Sequence, residues 1–296
     1  MSIVEKALQK LQAAKPAAAP VGALAKRPAA SAPAVTSRPP VPKLQAVEEP
    51  RVSSTIRLDP ARLRAAGISA PTDGDVRRLT DELRRVKWAL QANEATSKTG
   101  AQNVAMITSA LPGEGKSFLS FNLALSIATE SERHVWLFDA DCIRQTLSRA
   151  LGVEKLPGML DVIADPTRRF EDVLVATDVP GLFVVPSGAE RPDSPELLSS
   201  ARAAQLFSEV GPQHPHVSIL LDTAPVLATS VPQALAPLVG QIVMAVKADS
   251  TAPATVTEAL TQLHRTDGVA MVLNQFQRFM RHDYYYDGYY ETGARS

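Results

Sequence analysis

Apolar residues are spread unevenly along this 296-residue chain. From residue 104 onward they gather into short uninterrupted runs, Val104–Thr108, Val135–Asp139, Leu182–Pro186, Val217–Asp222, Ile242–Val246 and Val269–Asn274. A strand reads this way, rather than as strict alternation, when both faces of its sheet are covered, and the intervals between the runs are long enough for crossover helices. The pattern predicts a doubly wound α/β fold with a mostly parallel sheet over residues 75–280. Just ahead of it, Val76, Leu79, Leu83, Val86, Trp88 and Leu90 are interleaved with Asp81, Glu82, Arg84, Arg85 and Lys87. That spacing predicts a helix over 75–91 leading into the domain.

The two ends read differently. Residues 1–14 place Ile3, Val4, Ala7, Leu8 and Leu11 on one helical face, a short amphipathic helix that is marginal alone and expected to fray or to dock on a partner. Residues 15–50 hold eight prolines and many alanines without apolar periodicity, and a disordered linker is expected to extend to residue 74. Charge divides along the same line. Residues 1–64 carry 11 Lys/Arg against 4 Asp/Glu, net +7, which leaves 20 against 27, net −7, for the remainder. Such an arm can graze anionic surfaces, but basic residues scattered through Pro/Ala-rich sequence serve mainly to keep it solvated, and no nucleic-acid partner is expected. The single cysteine, Cys142, allows no internal disulfide, and no apolar stretch is long enough for a transmembrane helix. A cytoplasmic protein that reaches the inner membrane only through a partner is the expectation.

Candidate chemistry begins where the first buried run ends. Val104–Thr108 passes into Ser109-Ala110-Leu111-Pro112-Gly113-Glu114-Gly115-Lys116-Ser117 and then into an amphipathic helix with Phe118, Leu119, Phe121 and Leu123. This is a P-loop in its required setting. Gly113 and Gly115 let backbone N–H groups turn toward phosphates, the helix presents its positive end, Lys116 reaches the β/γ oxygens and the Ser117 hydroxyl ligates Mg²⁺. The general pattern asks for glycine at position 110, where this chain has Ala110.

Two further runs end in acids. Val135–Phe138 leads to Asp139 and Asp141, whose i, i+2 spacing sends both toward one side of the sheet, placed to hold water around Mg²⁺ or to accept a proton from an attacking hydroxyl. Val217–Leu221 leads to Asp222, and an acid at the end of a buried strand in a P-loop protein finds its partner in the metal, through water. At the other extreme, all five tyrosines lie in the last thirteen residues: Tyr284, Tyr285, Tyr286, Tyr289 and Tyr290. Tyrosine ordinarily scatters through cores and interfaces. Its concentration in a polar tail over 281–296 is not a packing pattern, so these rings are there to be recognised or modified.

The three motifs, the second reading Phe138-Asp139-Ala140-Asp141, resemble the Walker A, A′ and B set of the bacterial tyrosine kinases, and most closely the soluble autokinases of exopolysaccharide gene clusters. Gly181–Gly188, Pro195–Leu198, Val272–Asn274 and the opening MSIVEKALQKL extend the resemblance over most of the chain. It implies a protein-tyrosine kinase that uses ATP and Mg²⁺. Gly113, Glu114, Gly115, Lys116, Ser117 and Phe118 would bind the nucleotide, with Ser117, Asp139 and Asp222 at the metal and Lys116, Asp139 and Asp141 catalytic. The tail tyrosines would be the phosphoacceptors. It also implies a membrane-embedded polysaccharide co-polymerase as activator and control of polysaccharide polymerisation or export. Asp81, Arg84 and Lys87 match the family's oligomer-forming helix with Asp for Glu, implying a homo-oligomer in which transfer passes between subunits. The family's arginine two residues after the second acid is Ile143 here, with Arg144 one later. The alternative is a deviant-Walker ATPase switch of the partition or septum-placement type, whose signature lysine would stand at Leu111. Asn274 is open between reading adenine and forming a turn.

Overall fold

The computed structural model describes residues 52–68, 73–96, 101–128, 133–265 and 267–276. All six apolar runs are strands. With two more they form one eight-stranded sheet whose strands in chain order are β1 (Ser54–Ile56), β2 (Val104–Ser109), β3 (His134–Ala140), β4 (Val175–Thr177), β5 (Leu182–Val185), β6 (Val217–Thr223), β7 (Gln241–Lys247) and β8 (Val269–Asn274). Their spatial order is β1-β4-β5-β3-β6-β2-β7-β8. Every pairing is parallel except β4 against β5. The exception follows from the connection. Residues 178–181 are too few for a crossover helix, and Gly181, at φ +80°, completes a tight reversal.

Alternate residues of the central strands pack on opposite faces. Met106, Phe138, Leu221 and Met244 enter one core, while Ile107, Leu137, Leu220 and Val243 enter the other. Helices cover both, as two-sided burial requires. On one face lie α1 (Pro60–Ala65), α2 (Asp73–Thr96), α3 (Lys116–Ala128) and α4 (Thr146–Leu151); on the other lie α5 (Met159–Ala164), α6 (Ser194–Leu198), α7 (Ala201–Gln213), α8 (Val231–Leu235) and α9 (Pro253–Gln262). The doubly wound α/β reading therefore holds.

The expected boundary at residue 75 does not. Ser54–Ile56 is a sheet strand in register with Val175–Thr177, and α1 follows with Pro60 at its first position and the Asp59 carboxylate accepting the Ala61 and Arg62 N–H groups at 2.9 and 3.3 Å. Leu63 and Ile68 are buried. A three-residue edge strand shows too little alternation to stand out from the Pro/Ala-rich sequence before it, and β4 was missed for the same reason. The helix expected over 1–14, the linker up to residue 51 and the tail over 281–296 lie outside the described residues.

Helix α2 is longer than its apolar pattern indicated. Leu83 and Leu90 are buried, whereas Trp88, grouped with them by spacing, stands 59% exposed. Lys87 turns inward, and its Nζ donates to the Ser126 carbonyl oxygen at 3.3 Å. Asp81 and Arg84 stay outside as a 3.0 Å ion pair three residues apart, worth about 0.2–0.5 kcal/mol. The three residues of the expected oligomer helix thus do not share one exposed face.

Beneath β3, Phe138 meets Phe170 edge-on at 5.0 Å and Phe207 at 6.2 Å, and Phe170 meets Phe207 at 5.3 Å. This cluster anchors the strand immediately before Asp139. Phe138→Ala is expected to lower stability by about 3–5 kcal/mol, seen as a lower urea midpoint; a loss well under 1 kcal/mol would show that the cluster is not a principal support of β3.

Candidate active site

Strand β2 ends at Ser109 and helix α3 begins at Lys116, so the intervening loop lies at the carboxyl edge of the sheet. Its glycines are conformational necessities. Gly113 and Gly115 adopt φ +83° and +87°, and a Cβ on Gly115 would run into the Asn274 side-chain amide. Ala110 is fully buried in ordinary backbone conformation, so the departure from the glycine pattern there carries no strain. The loop's base is fixed by Val226 and Leu227, whose N–H groups donate to the Ser109 and Ala110 carbonyls at 2.8 and 3.2 Å.

Parallel pairing delivers the acids beside it. Asp139 of β3 is in register with Asp222 of β6, which is in register with Ile107 of β2. Lys116 Nζ lies 2.9 Å from Asp141 Oδ2 and 3.3 Å from Ser117 Oγ. Ser120, one turn into α3, donates to Asp222 Oδ1 at 3.0 Å. Asp139 is held by backbone on both oxygens, Oδ1 accepting from the Asp141 N–H at 3.2 Å and Oδ2 from the Ser148 N–H at 2.7 Å. It thereby caps the start of α4 in place of Gln145, which sits at φ 48° with no capping bond of its own.

All three carboxylates and the lysine are buried. Burial raises Asp139 to about 7, with the Asp222 charge adding to the shift and the Ser148 bonds opposing it. Asp222 is also raised, chiefly by burial, against the opposing pull of Lys116. Burial draws the Lys116 ammonium down, but the combined charges of Asp222, Asp141 and Asp139 outweigh it and hold its pKa above the ordinary value. One cation among three acids leaves a deficit of positive charge. Asp222 Oδ2 is buried with no hydrogen-bond partner among the described residues, although the nearby Ser117 and Ser120 hydroxyls both favour its charged form. An unsatisfied buried carboxylate oxygen beside a phosphate loop fits a hydrated divalent cation, with Ser117, Asp139 and Asp222 as the residues to hold it.

Lys116, Ser117, Asp139, Asp141 and Asp222 therefore converge at one edge. Phe118 is half-buried at the first turn of α3, where its carbonyl accepts from Asn122. Ile143 is 52% exposed, and Arg144 is placed through its backbone, whose N–H donates to Asp141 Oδ1 at 3.2 Å. Asn274 donates its side-chain amide to the Glu114 carbonyl oxygen at 2.8 Å, a use that neither expectation for it included. Ser120 was missed, although its place three residues after Ser117 puts it on the same helical face. The five tyrosines lie outside the described residues.

A glycine-bearing loop between a buried strand and a helix, flanked by strand-end acids, defines the P-loop class of nucleotide-binding α/β domains. Within that class the relatives are bacterial tyrosine-protein kinases. EpsB of Ralstonia nicotianae, named as a candidate tyrosine-protein kinase, is 33% identical over 187 residues, 63% of this chain and 24% of that protein. The tyrosine-protein kinase Ptk of Acinetobacter johnsonii is 31% identical over 150 residues, 51% of this chain and 20% of that one. The crystal structure of the VpsO kinase domain superposes with a TM-score of 0.58 at 28% identity, covering 70% of this chain and 100% of that domain. The chain thus spans about a quarter of its first relatives or less. No family model matches it.

The pKa shifts have a thermodynamic consequence. A carboxyl raised in the folded state binds a proton there that the unfolded chain releases, so stability rises as pH falls through its folded pKa. With Asp139 near 7 and Asp222 raised in the same sense, the metal- and nucleotide-free protein is expected to resist urea better at pH 6 than at pH 8. Asp139→Asn should flatten that slope. Equal midpoints for the wild type at both pH values would contradict the placement of these buried charges.

Proposed function

We propose that this chain binds Mg-ATP at residues 113–118 and transfers the γ-phosphoryl group to tyrosines of its own C-terminal cluster, Tyr284, Tyr285, Tyr286, Tyr289 and Tyr290. The observation that carries the reading is the convergence of Lys116 and Asp141, 2.9 Å apart, with Asp139 and Asp222, in a chain whose only tyrosines form one tail. The names of the relatives support it.

In this mechanism the N–H groups of the loop and the positive end of α3 bind the phosphate oxygens, and Lys116 neutralises charge that develops as the bond between the γ-phosphorus and the bridging oxygen breaks. Bound Mg²⁺ supplies Lewis-acid neutralisation of the same phosphates. The tyrosine oxygen bonds to the γ-phosphorus, ADP departs with the bridging oxygen's electron pair, and the phenolic proton passes to a strand-end carboxylate. Asp139 and Asp141 are the two candidate acceptors: Asp139 accepts backbone bonds on both oxygens, and Asp141 accepts the Arg144 N–H on one oxygen and the Lys116 ammonium on the other.

Transfer is proposed to pass between subunits of a homo-oligomer, with Asp81 and Arg84 on the exposed face of α2 as contact residues. Reach alone does not demand this, because the ten residues from Asn274 to Tyr284 span at most about 33–36 Å, enough to fold back. Each phosphate adds about −1.5 to −2 charges, so a fully modified tail gains roughly −7.5 to −10 near a site already rich in acids and is expelled from it. The same cycle would regulate exopolysaccharide polymerisation or export through a membrane-embedded co-polymerase. Among the described residues no helix is long and apolar enough to cross a membrane, so that partner would supply the membrane contact.

Incubation with labelled Mg-ATP is expected to place phosphate on the tail tyrosines, located by mass spectrometry, and Lys116→Met should abolish the label while the domain stays folded. Phosphate release with no labelled protein would instead identify an ATPase switch. A second experiment mixes a Lys116→Met chain that keeps its tail with an active chain truncated after Arg281. Labelling of the inactive chain on tyrosine, weakened by charge reversal at Arg84, is the expected outcome. Concentration-independent labelling of full-length protein, with the inactive chain unlabelled, would exclude transfer between subunits.

A further inference from the structure

The phosphate loop contains a buried acid, Glu114, whose side chain takes no part in the phosphoryl transfer described above although its main chain belongs to the binding loop. Glu114 is 2% exposed, yet its carboxylate faces neither Lys116 nor the acids of β3 and β6. Oε2 accepts the Leu111 N–H at 2.7 Å, closing the loop on itself. Oε1 accepts the Lys247 N–H at 3.3 Å, from the last residue of β7, and the Thr251 hydroxyl, from the segment joining β7 to α9. The main chain of the same residue is also held. Asn274 donates to its carbonyl oxygen at 2.8 Å, and Gln275 donates to the Gly113 carbonyl at 2.9 Å from a left-handed conformation, φ 57°, that glutamine seldom adopts. The Ala248 N–H donates to the Asn274 carbonyl at 2.8 Å, so β7 and β8 are tied to each other as well as to the loop.

The loop therefore has two unlike flanks. Strand order sets β6 and β3, with the acids, on one side of β2, and β7 and β8 on the other. On the second side everything converges on Glu114. A phosphate loop binds anions by holding its N–H groups in a shape that a free glycine-rich segment samples rarely, so whatever fixes that shape in advance raises affinity. Three donors, the Leu111 and Lys247 N–H groups and the Thr251 hydroxyl, surround a buried carboxylate, and only acceptor oxygens satisfy them.

We infer that Glu114 is the positioning residue of the nucleotide site, its carboxylate locking the loop in binding-ready form against the β7–α9 segment. This rests on the reading that the loop binds nucleotide phosphates. It separates from a mere filling role through one substitution. Glutamine matches glutamate in shape but offers one oxygen and one N–H₂ group, which must then face the Leu111 N–H or the Lys247 N–H and Thr251 hydroxyl. If Glu114 only filled space, Glu114→Gln would bind like the wild type.

The test is equilibrium binding of MgADP by titration calorimetry, with the urea midpoint of the ligand-free protein measured alongside. Glu114→Gln is expected to raise the Kd tenfold or more, a larger loss than any fall in ligand-free stability accounts for. Thr251→Val, which removes one donor and leaves the carboxylate in place, should raise it about threefold, again a larger loss than the accompanying fall in the urea midpoint accounts for. Either variant binding MgADP within twofold of the wild type overturns the inference. Wild-type protein that fails to bind MgADP at all overturns the phosphate-site reading itself, a result distinguishable from the first because it appears before any substitution is made.

Discussion

The structure depends on how charge is divided at one buried edge of the sheet. Lys116 stands among Asp139, Asp141 and Asp222, all four withdrawn from water, so the ligand-free site holds more acid than base. Desolvation makes such an excess costly, and the protein limits it by raising Asp139 and Asp222 toward the protonated form. A divalent cation removes the same excess more completely. The charge excess at this edge and the buried Asp222 Oδ2, which has no hydrogen-bond partner among the described residues, are what the proposed cation would offset.

That edge exists because the central strands are apolar on both faces. Phe138 and Leu221 go to one core, Leu137 and Leu220 to the other, so the next residue of each strand, Asp139 or Asp222, emerges on the face of α3 and the phosphate loop. A register slip of one residue in either strand would send its acid to the opposite face. The aromatic cluster of Phe138, Phe170 and Phe207 acts against such a slip and, though remote from any ligand, helps to aim the carboxylates.

The parts of this domain legible in the sequence were those with long-range consequences for composition. Five strands showed as apolar runs because two-sided burial leaves little polar alternation, the sixth, β8, is an apolar edge strand with Met271 and Leu273 exposed, and the loop and its acids showed because they close those runs. What escaped was short or reciprocal. Ser54–Ile56 and Val175–Thr177 are three residues each, and they become strands only by pairing with partners far away in the chain. Lys87 looked like part of a charged face because periodicity assigns a side without knowing that the Ser126 carbonyl waits there. Trp88 fell on the apolar side of the same helix by spacing and is exposed. Asp139 was read as chemistry alone, whereas its capping of α4 depends on where residue 148 returns after the turn.

The unlike flanks of the loop constrain how a nucleotide lies on it. On the β6 and β3 side the loop faces the cluster of Asp139, Asp141 and Asp222. On the β7 and β8 side the loop meets Asn274, Gln275 and the backbone of Lys247, already joined to Gly113 and Glu114. Asn274 and Gln275 touch the loop only two residues before the described chain ends at Phe276. Asn274 and Gln275 thereby fix two carbonyls of the loop on the flank away from the acids.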